Sequence, residues 1–357
     1  MFWPGLWDSR LGCAVAGTSV EGQFIQSQNG WVLTVQIIDF HAHFLEPGVF
    51  EQTLPQSVFG AFGSRPEVAR PERGSRMAVA HRKMLEPEQR LADMNGQGVA
   101  MQVLSSSTVM QYTGWAEPVM QLELESRVND AIAGICAAHP GRFVGSFTLP
   151  LKDVDLALGE ARRAVEELRL RVVNLPAAVN GSYLGAARYR PLWQAFDDLG
   201  VIAFIHPDGT HDPWFQDYAL WNSLGQSIEE SKVMASLILE GVLEELPRLR
   251  IVIAHGGGFL PHYFGRLDRN FRNRPASARN ISKPPSEYLR NFYFDTCVYD
   301  PAVLRALVDR VGADRLVLGT DYPVGDADPL EILRRAGVAG KQLAAIAGGN
   351  AGRLLGH

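Results

Sequence analysis

Eight short runs rich in β-branched residues, separated by longer amphipathic stretches, constrain this chain more than any other feature. The predicted strands are Val35–Phe40, Val99–Ser105, Arg142–Thr148, Arg171–Leu175, Val201–Ile205, Arg250–Ala254, Asn291–Asp295 and Arg315–Gly319. Helical periodicity lies between them, over Val119–Ala138, Val154–Leu168, Arg190–Leu199, Ser227–Leu246, Pro301–Val311 and Leu330–Ala336. Alternation of this kind means parallel βα units, because a parallel return needs a crossover long enough to hold a helix. Eight such units predict an α/β fold, a (β/α)8 TIM barrel, rather than an open sheet. A length of 357 residues, 46% of them hydrophobic, matches one large core.

Two stretches fall outside this rhythm. Residues 1–34 read as an N-terminal extension to the 35–357 barrel, either disordered or translated from an upstream start codon. The segment after strand one, 44–95, is too long for an ordinary connection and rich in Pro, Gly and Arg, so it reads as an active-site insertion. A second long loop, His206–Gly225, carries Trp214, Phe215, Tyr218 and Trp221. Both follow strands and should overhang the C-terminal mouth of the barrel.

Composition excludes several classes. A formal net charge of -5 with no Lys/Arg run gives no face for nucleic acid. No stretch is long and apolar enough to predict a membrane span. Cys13, Cys136 and Cys297 are far apart and odd in number, which indicates neither a disulfide framework nor a structural zinc site. A cytoplasmic setting fits best.

Chemistry concentrates where the apolar runs end. In Asp39-Phe40-His41-Ala42-His43, alternation along an extended chain turns both histidines to one face, roughly 7 Å apart. His206 ends VIAFIH, His255 ends RIVIAH, and Asp321 follows LVLGT. Burying such groups unpaired is costly, and a shared metal ion would supply the reason for them. Asp39 is open to two readings, a partner orienting an imidazole or a strand-end cap. The Gly256-Gly257-Gly258 run is likewise either a flexible turn or a place where backbone approaches a substrate.

From about Val35 onward these motifs resemble the amidohydrolase superfamily, in the branch typified by the aminocarboxymuconate-semialdehyde decarboxylases. The resemblance rests on IDFHAHF, RFVGSFTLP, IHP, IVIAHGGGFLP with the later GRLDR, and LVLGTDYP. It implies that His41, His43, His206 and Asp321 are metal ligands and that His255 is an acid/base residue beside them. Asp321 is a second candidate for proton transfer. Binuclear barrels of this kind need a bridging carboxylate, commonly on strand four; here that strand reads RVVNLPA, with Asn174, which points to a single ion. Three imidazoles and a carboxylate suit Zn2+, with Mn2+ or Fe2+ as alternatives.

The implied reaction is non-oxidative decarboxylation of an aromatic or unsaturated carboxylic acid. The same ligands would also serve a hydrolase or hydratase in which His255 activates bound water. A carboxylate substrate calls for arginine. Arg266, in GRLDR, stands where the resembling enzymes place an arginine that reaches a neighbouring subunit, which implies a homodimer. The insertion carries His81 with Arg82 adjacent where those enzymes have an arginine. Asp208 replaces their tryptophan, and Val324 a phenylalanine. Trp214 completes the substrate-binding candidates, since an aromatic loop would suit a planar substrate.

Overall fold

The alternation of short and long segments closes on itself in the computed structural model, which describes residues 23–27, 30–34, 36–56, 72–210 and 212–356. Eight parallel strands form one sheet: β1 (Ile37–Phe44), β2 (Val99–Ser106), β3 (Phe143–Phe147), β4 (Val172–Leu175), β5 (Ile202–Ile205), β6 (Arg250–Ile253), β7 (Phe292–Asp295) and β8 (Leu316–Val317). Each pairs with its sequence neighbours, and the fold is the expected (β/α)8 TIM barrel.

Burial follows the pleat. Side chains of one parity, among them Ile38, Val103, Val172, Ile202, Phe204 and Val252, fill the barrel interior. Those of the other parity, such as Leu104, Val173, Ala203 and Ile253, meet the surrounding helices in a larger apolar layer. Asp153 and Asp300 cap the helices Val154–Glu166 and Pro301–Val311, each accepting from two backbone N–H groups. The stretch predicted as one helix over Ser227–Leu246 is two, Gly225–Leu239 and Val242–Glu245, because the chain turns at Gly241 with φ +82.

The seam between β1 and β8 is the least regular part of the sheet. β8 spans two residues, shorter than predicted, because Leu318 N–H donates to Ile346 O of the C-terminal helical segment. Closure continues through Phe40 N–H to Leu318 O at 2.8 Å, His43 N–H to Tyr322 O at 2.8 Å and Tyr322 N–H to His41 O at 3.2 Å. These bonds hold Tyr322 alongside Ala42 in parallel register and carry Asp321 to the histidines of β1.

The insertion contributes helices Pro47–Thr53, Arg76–Leu85 and Pro87–Gln97; its residues 57–71 lie outside the described ones. Arg90, fully buried, ties it to the barrel by donating to His43 O and to Gln102 Oε1 at 3.1 Å, with its guanidinium 4.7 Å from the Tyr322 ring centre. Much of the predicted extension 1–34 also lies outside the described residues, although Gln23–Ser27 and Gly30–Thr34 pair as an antiparallel hairpin. Among the described residues no helix is long and apolar enough to cross a membrane.

Candidate metal centre

Four imidazoles meet at the C-terminal mouth, from the ends of β1, β5 and β6. Ring centres lie 5.0 Å apart for His41–His43, 4.9 Å for His41–His206, 5.0 Å for His43–His206 and 4.9 Å for His206–His255. Asp321 joins them after β8, with Oδ1 2.8 Å from His43 Nε2 and 3.4 Å from His41 Nε2. The two β1 histidines share a face, as alternation predicts, and their Nε2 atoms are 3.3 Å apart.

Hydrogen bonds on the far side of each ring decide which nitrogen faces the centre. His41 Nδ1–H donates to Asp295 Oδ2 at 2.6 Å, and His206 Nδ1–H to Pro207 O at 2.9 Å with Thr108 Oγ1 at 2.8 Å. With Nδ1 so engaged, the neutral form of each ring presents the Nε2 lone pair inward. Asp295, at the end of β7, is itself held by the Gly256 and Cys297 N–H groups, each 3.1 Å from Oδ1. His255 Nδ1 pairs with Glu230 Oε1 at 2.5 Å, from helix Gly225–Leu239. His43 is the exception, since its buried Nδ1 has no partner.

The electrostatics divide the histidines. Burial lowers the pKa of His43 and takes that of His206 well below the ordinary value, helped by neighbouring imidazoles. Burial also acts against a charge on His255, but Glu230, with Asp295 and Asp321, outweighs it and raises its pKa to about 9. Asp321 resists burial in the same way: His41, His43 and His255 hold its carboxyl well below the usual range.

Lone pairs of neutral imidazoles and a carboxylate oxygen aimed at one buried point repel one another unless a cation stands between them, so the donor set fits a divalent ion. Ligand atoms of His41, His206, His255 and Asp321 all lie within 4.8 Å of one another, which is enough to hold one metal ion. That group contains His255 where the sequence reading has His43. The two differ in their pairing: His255 Nδ1 is held by the buried Glu230, as His41 Nδ1 is by Asp295, whereas His43 has Nε2 on Asp321 and no partner at Nδ1.

Backbone strain accompanies the site. His255 and Asp321 adopt φ +48 and +57, in the left-handed region that costs non-glycine residues about 1–3 kcal/mol. Gly319, just before Asp321, allows the close approach, for a Cβ there would stand 2.7 Å from Asp295 Cβ and 2.9 Å from His41 Cβ. The Gly256–Gly258 run is required by packing against the protein itself: Gly258 has φ +62, and its Cβ would meet Ser227 O at 2.1 Å.

Other predicted residues are more scattered. Asp39 touches no imidazole. Its oxygens accept from His41 N–H, Thr320 N–H, Gln102 Nε2 and Thr320 Oγ1, so from within β1 it ties that strand to β2 and to the segment after β8. His81 is buried edge-on to Phe50 with Nε2 unpartnered, and Asp208 is buried. Arg82 and Arg266 are exposed. Trp214 is 67% exposed and stacks edge-on with Phe215, while Trp221 packs against the insertion's cluster of Leu45, Phe50, Leu54 and Met84. Sequence reasoning passed over Asp295, Glu230 and Thr108. Only Asp295 carried the signal used for the others, an acid ending an apolar strand.

The profile of the amidohydrolase family matches residues 38–357. The chain is 33% identical over 278 residues to the 2-amino-3-carboxymuconate-6-semialdehyde decarboxylase of Dictyostelium discoideum, covering 76% of this chain and 77% of that one. Among solved structures, the 5-carboxyvanillate decarboxylase of Sphingomonas paucimobilis superposes with a TM-score of 0.79 at 27% identity, over 90% of this chain and 99% of that one. The enzyme of that name from Novosphingobium aromaticivorans, solved with manganese and 4-hydroxy-3-methoxy-5-nitrobenzoic acid, shares the fold at 20% identity, with a TM-score of 0.80 over 96% and 100% of the two chains.

Proposed function

The chain belongs to the amidohydrolase family, and from that premise we propose that it is a metal-dependent non-oxidative decarboxylase, a carboxy-lyase acting on an aromatic or unsaturated carboxylic acid. The observation that carries this reading is the convergence of His41, His43, His206, His255 and Asp321 at the barrel mouth, in a chain whose relatives bear decarboxylase names. His41, His43, His206 and Asp321 are assigned as ligands of a single divalent ion, with no carboxylate on β4 to bridge a second. Zinc suits the donor set, and manganese and iron are the alternatives. The ion would supply Lewis-acid polarisation of a substrate oxygen.

The protein's own residues handle the proton. His255, held at Nδ1 by Glu230, presents Nε2 towards the mouth and delivers its proton to the carbon bearing the carboxylate. The C–C bond then breaks, CO2 leaves, and the electron pair remains in the substrate's π-system. Asp321 is the second candidate proton carrier, and Tyr299 Oη donates to its Oδ2 at 3.1 Å.

Substrate contacts are assigned by availability. His81 and Asp208 are buried, and burial keeps His81 neutral. Arg82 and Arg266 offer guanidinium groups to a carboxylate. Arg266 is exposed on helix Gly265–Asn273 near exposed Phe259 and Tyr263, which supports its reaching a second subunit in a homodimer. Trp214 joins the set through closure of its loop. In this reading 44–95 is the active-site insertion, 1–34 an extension and the setting cytoplasmic.

The test is CO2 release from hydroxybenzoates, aminobenzoates and carboxymuconate semialdehydes by protein loaded in turn with zinc, manganese and iron. Turnover of one such acid is expected. Hydrolysis of an ester, lactone or amide with no CO2 from any acid would replace this reading with the hydrolase one.

A further inference from the structure

A cavity on the β2–β4 side of the mouth is lined by Ser106, Thr108, Tyr112, Glu125, Thr148 and Asn174, among others. Asn174 lies two residues after Val172, an interior residue of β4, so its side chain also turns into the barrel. Its Nδ2 donates to Ser106 O at 2.7 Å. A carbonyl only accepts, so this bond fixes which way the amide faces and leaves Oδ1 as a pure acceptor. The residue is 2% exposed, and Oδ1 has no partner among the described residues. Thr108 belongs to the same wall and its hydroxyl also holds His206 Nδ1, so the cavity adjoins the candidate metal centre.

We propose that Asn174 determines specificity. Its Oδ1 accepts a hydrogen bond from a donor substituent, a hydroxyl or amino group, on the acid whose other end is held at the His/Asp cluster. The substrate class in this statement rests on the decarboxylase reading. An ether or carbonyl oxygen in the same place would set acceptor against acceptor and leave the buried amide oxygen unpaired, the kind of mismatch that hydrogen-bonding sites reject strongly.

The test measures binding, independently of turnover. Calorimetric titration of the full-length, metal-loaded protein with hydroxy-, amino- and methoxybenzoates, substituted at each ring position in turn, should show at one position a preference of about tenfold or more for a donor over the methoxy group. Comparison of the hydroxy and amino arms identifies the donor. In Asn174→Ala and Asn174→Leu, at unchanged metal content, that preference should fall towards one. The proposal is overturned if wild type shows no donor preference, if no donor-bearing acid binds, or if the alanine variant weakens all probes equally. CO2 release is scored separately on the wider panel given above: donor preference with hydrolysis and no CO2 from any acid would remove the decarboxylase reading and leave this subsite, and CO2 without donor preference the reverse.

Discussion

The two sides of the barrel mouth are built on opposite terms. Around the ends of β1, β5, β6 and β8, three of the four imidazoles are held from behind: Asp295 holds His41, Pro207 and Thr108 hold His206, and Glu230 holds His255, while Arg90 pins the backbone at His43 and only His43 Nδ1 and Glu230 Oε2 are left without partners among the described residues there. Across β2–β4 the polar groups are mostly uncharged, with Asn174 Oδ1 unpartnered among the described residues and the buried Glu125 accepting from the hydroxyls of Thr113 and Thr148. Saturation fixes a ligand geometry in advance, which is what a metal site needs. Incomplete satisfaction leaves binding capacity for a molecule that comes and goes. On the proposed reading, one half keeps an ion and the other selects the substrate.

The largest effect should come from breaking the saturated half at its first link. His41→Ala should lower bound metal below one equivalent per chain by elemental analysis and cut CO2 release about a thousandfold or more; full retention of metal would sharpen doubt about His41 as a ligand. His255→Gln tests the division between ligand and proton carrier. Metal content should survive while turnover falls on the order of 10²–10⁴-fold, and joint loss of both would show that His255 ligates after all.

The β2–β4 half carries a buried acid whose titration bears on stability. Burial raises the Glu125 pKa from 4.5 to about 7. A group whose folded pKa lies above its unfolded value adds stability below the unfolded pKa and loses it as pH rises through the folded one. Stability should therefore drop by about 3 kcal/mol between pH 4.5 and pH 7–8. Urea denaturation of Glu125→Gln should show a correspondingly flatter pH dependence, with the variant gaining on wild type as pH rises; parallel curves would remove this charge from the account.

Smallest is the effect expected of Glu230→Gln, which keeps a hydrogen bond to His255 while removing the charge. Turnover should fall about tenfold to a hundredfold at unchanged metal content, with the alkaline limb of the kcat profile moving to lower pH. An unmoved profile would reduce Glu230 to a packing role.

Several of these residues were legible in the sequence because one rule found them. Apolar strands ending in a polar residue mark the mouth of a barrel, and that rule alone reaches His41, His43, His206, His255 and Asp321. It would have reached Asp295 too had the end of strand seven been treated like the rest. Glu230 was beyond it, since an acid in the middle of an amphipathic helix has the pattern of a solvent-facing residue until the helix is packed. Asp39 shows the converse, a residue adjacent in sequence to His41 whose bonds go to Thr320 and Gln102.

The sequence by itself determined the alternation of eight strands with helices, the barrel that follows, and the identities of the residues at the strand ends, because periodicity and side-chain direction are local properties of the backbone. Only the tertiary structure decided which imidazole nitrogen faces inward, which histidine is paired with a carboxylate, and that the amide oxygen of Asn174 is left to accept. Apart from the contact of His206 with the neighbouring Pro207, those choices are made by hydrogen bonds between residues 25 to 254 positions apart, and no spacing along the chain records them.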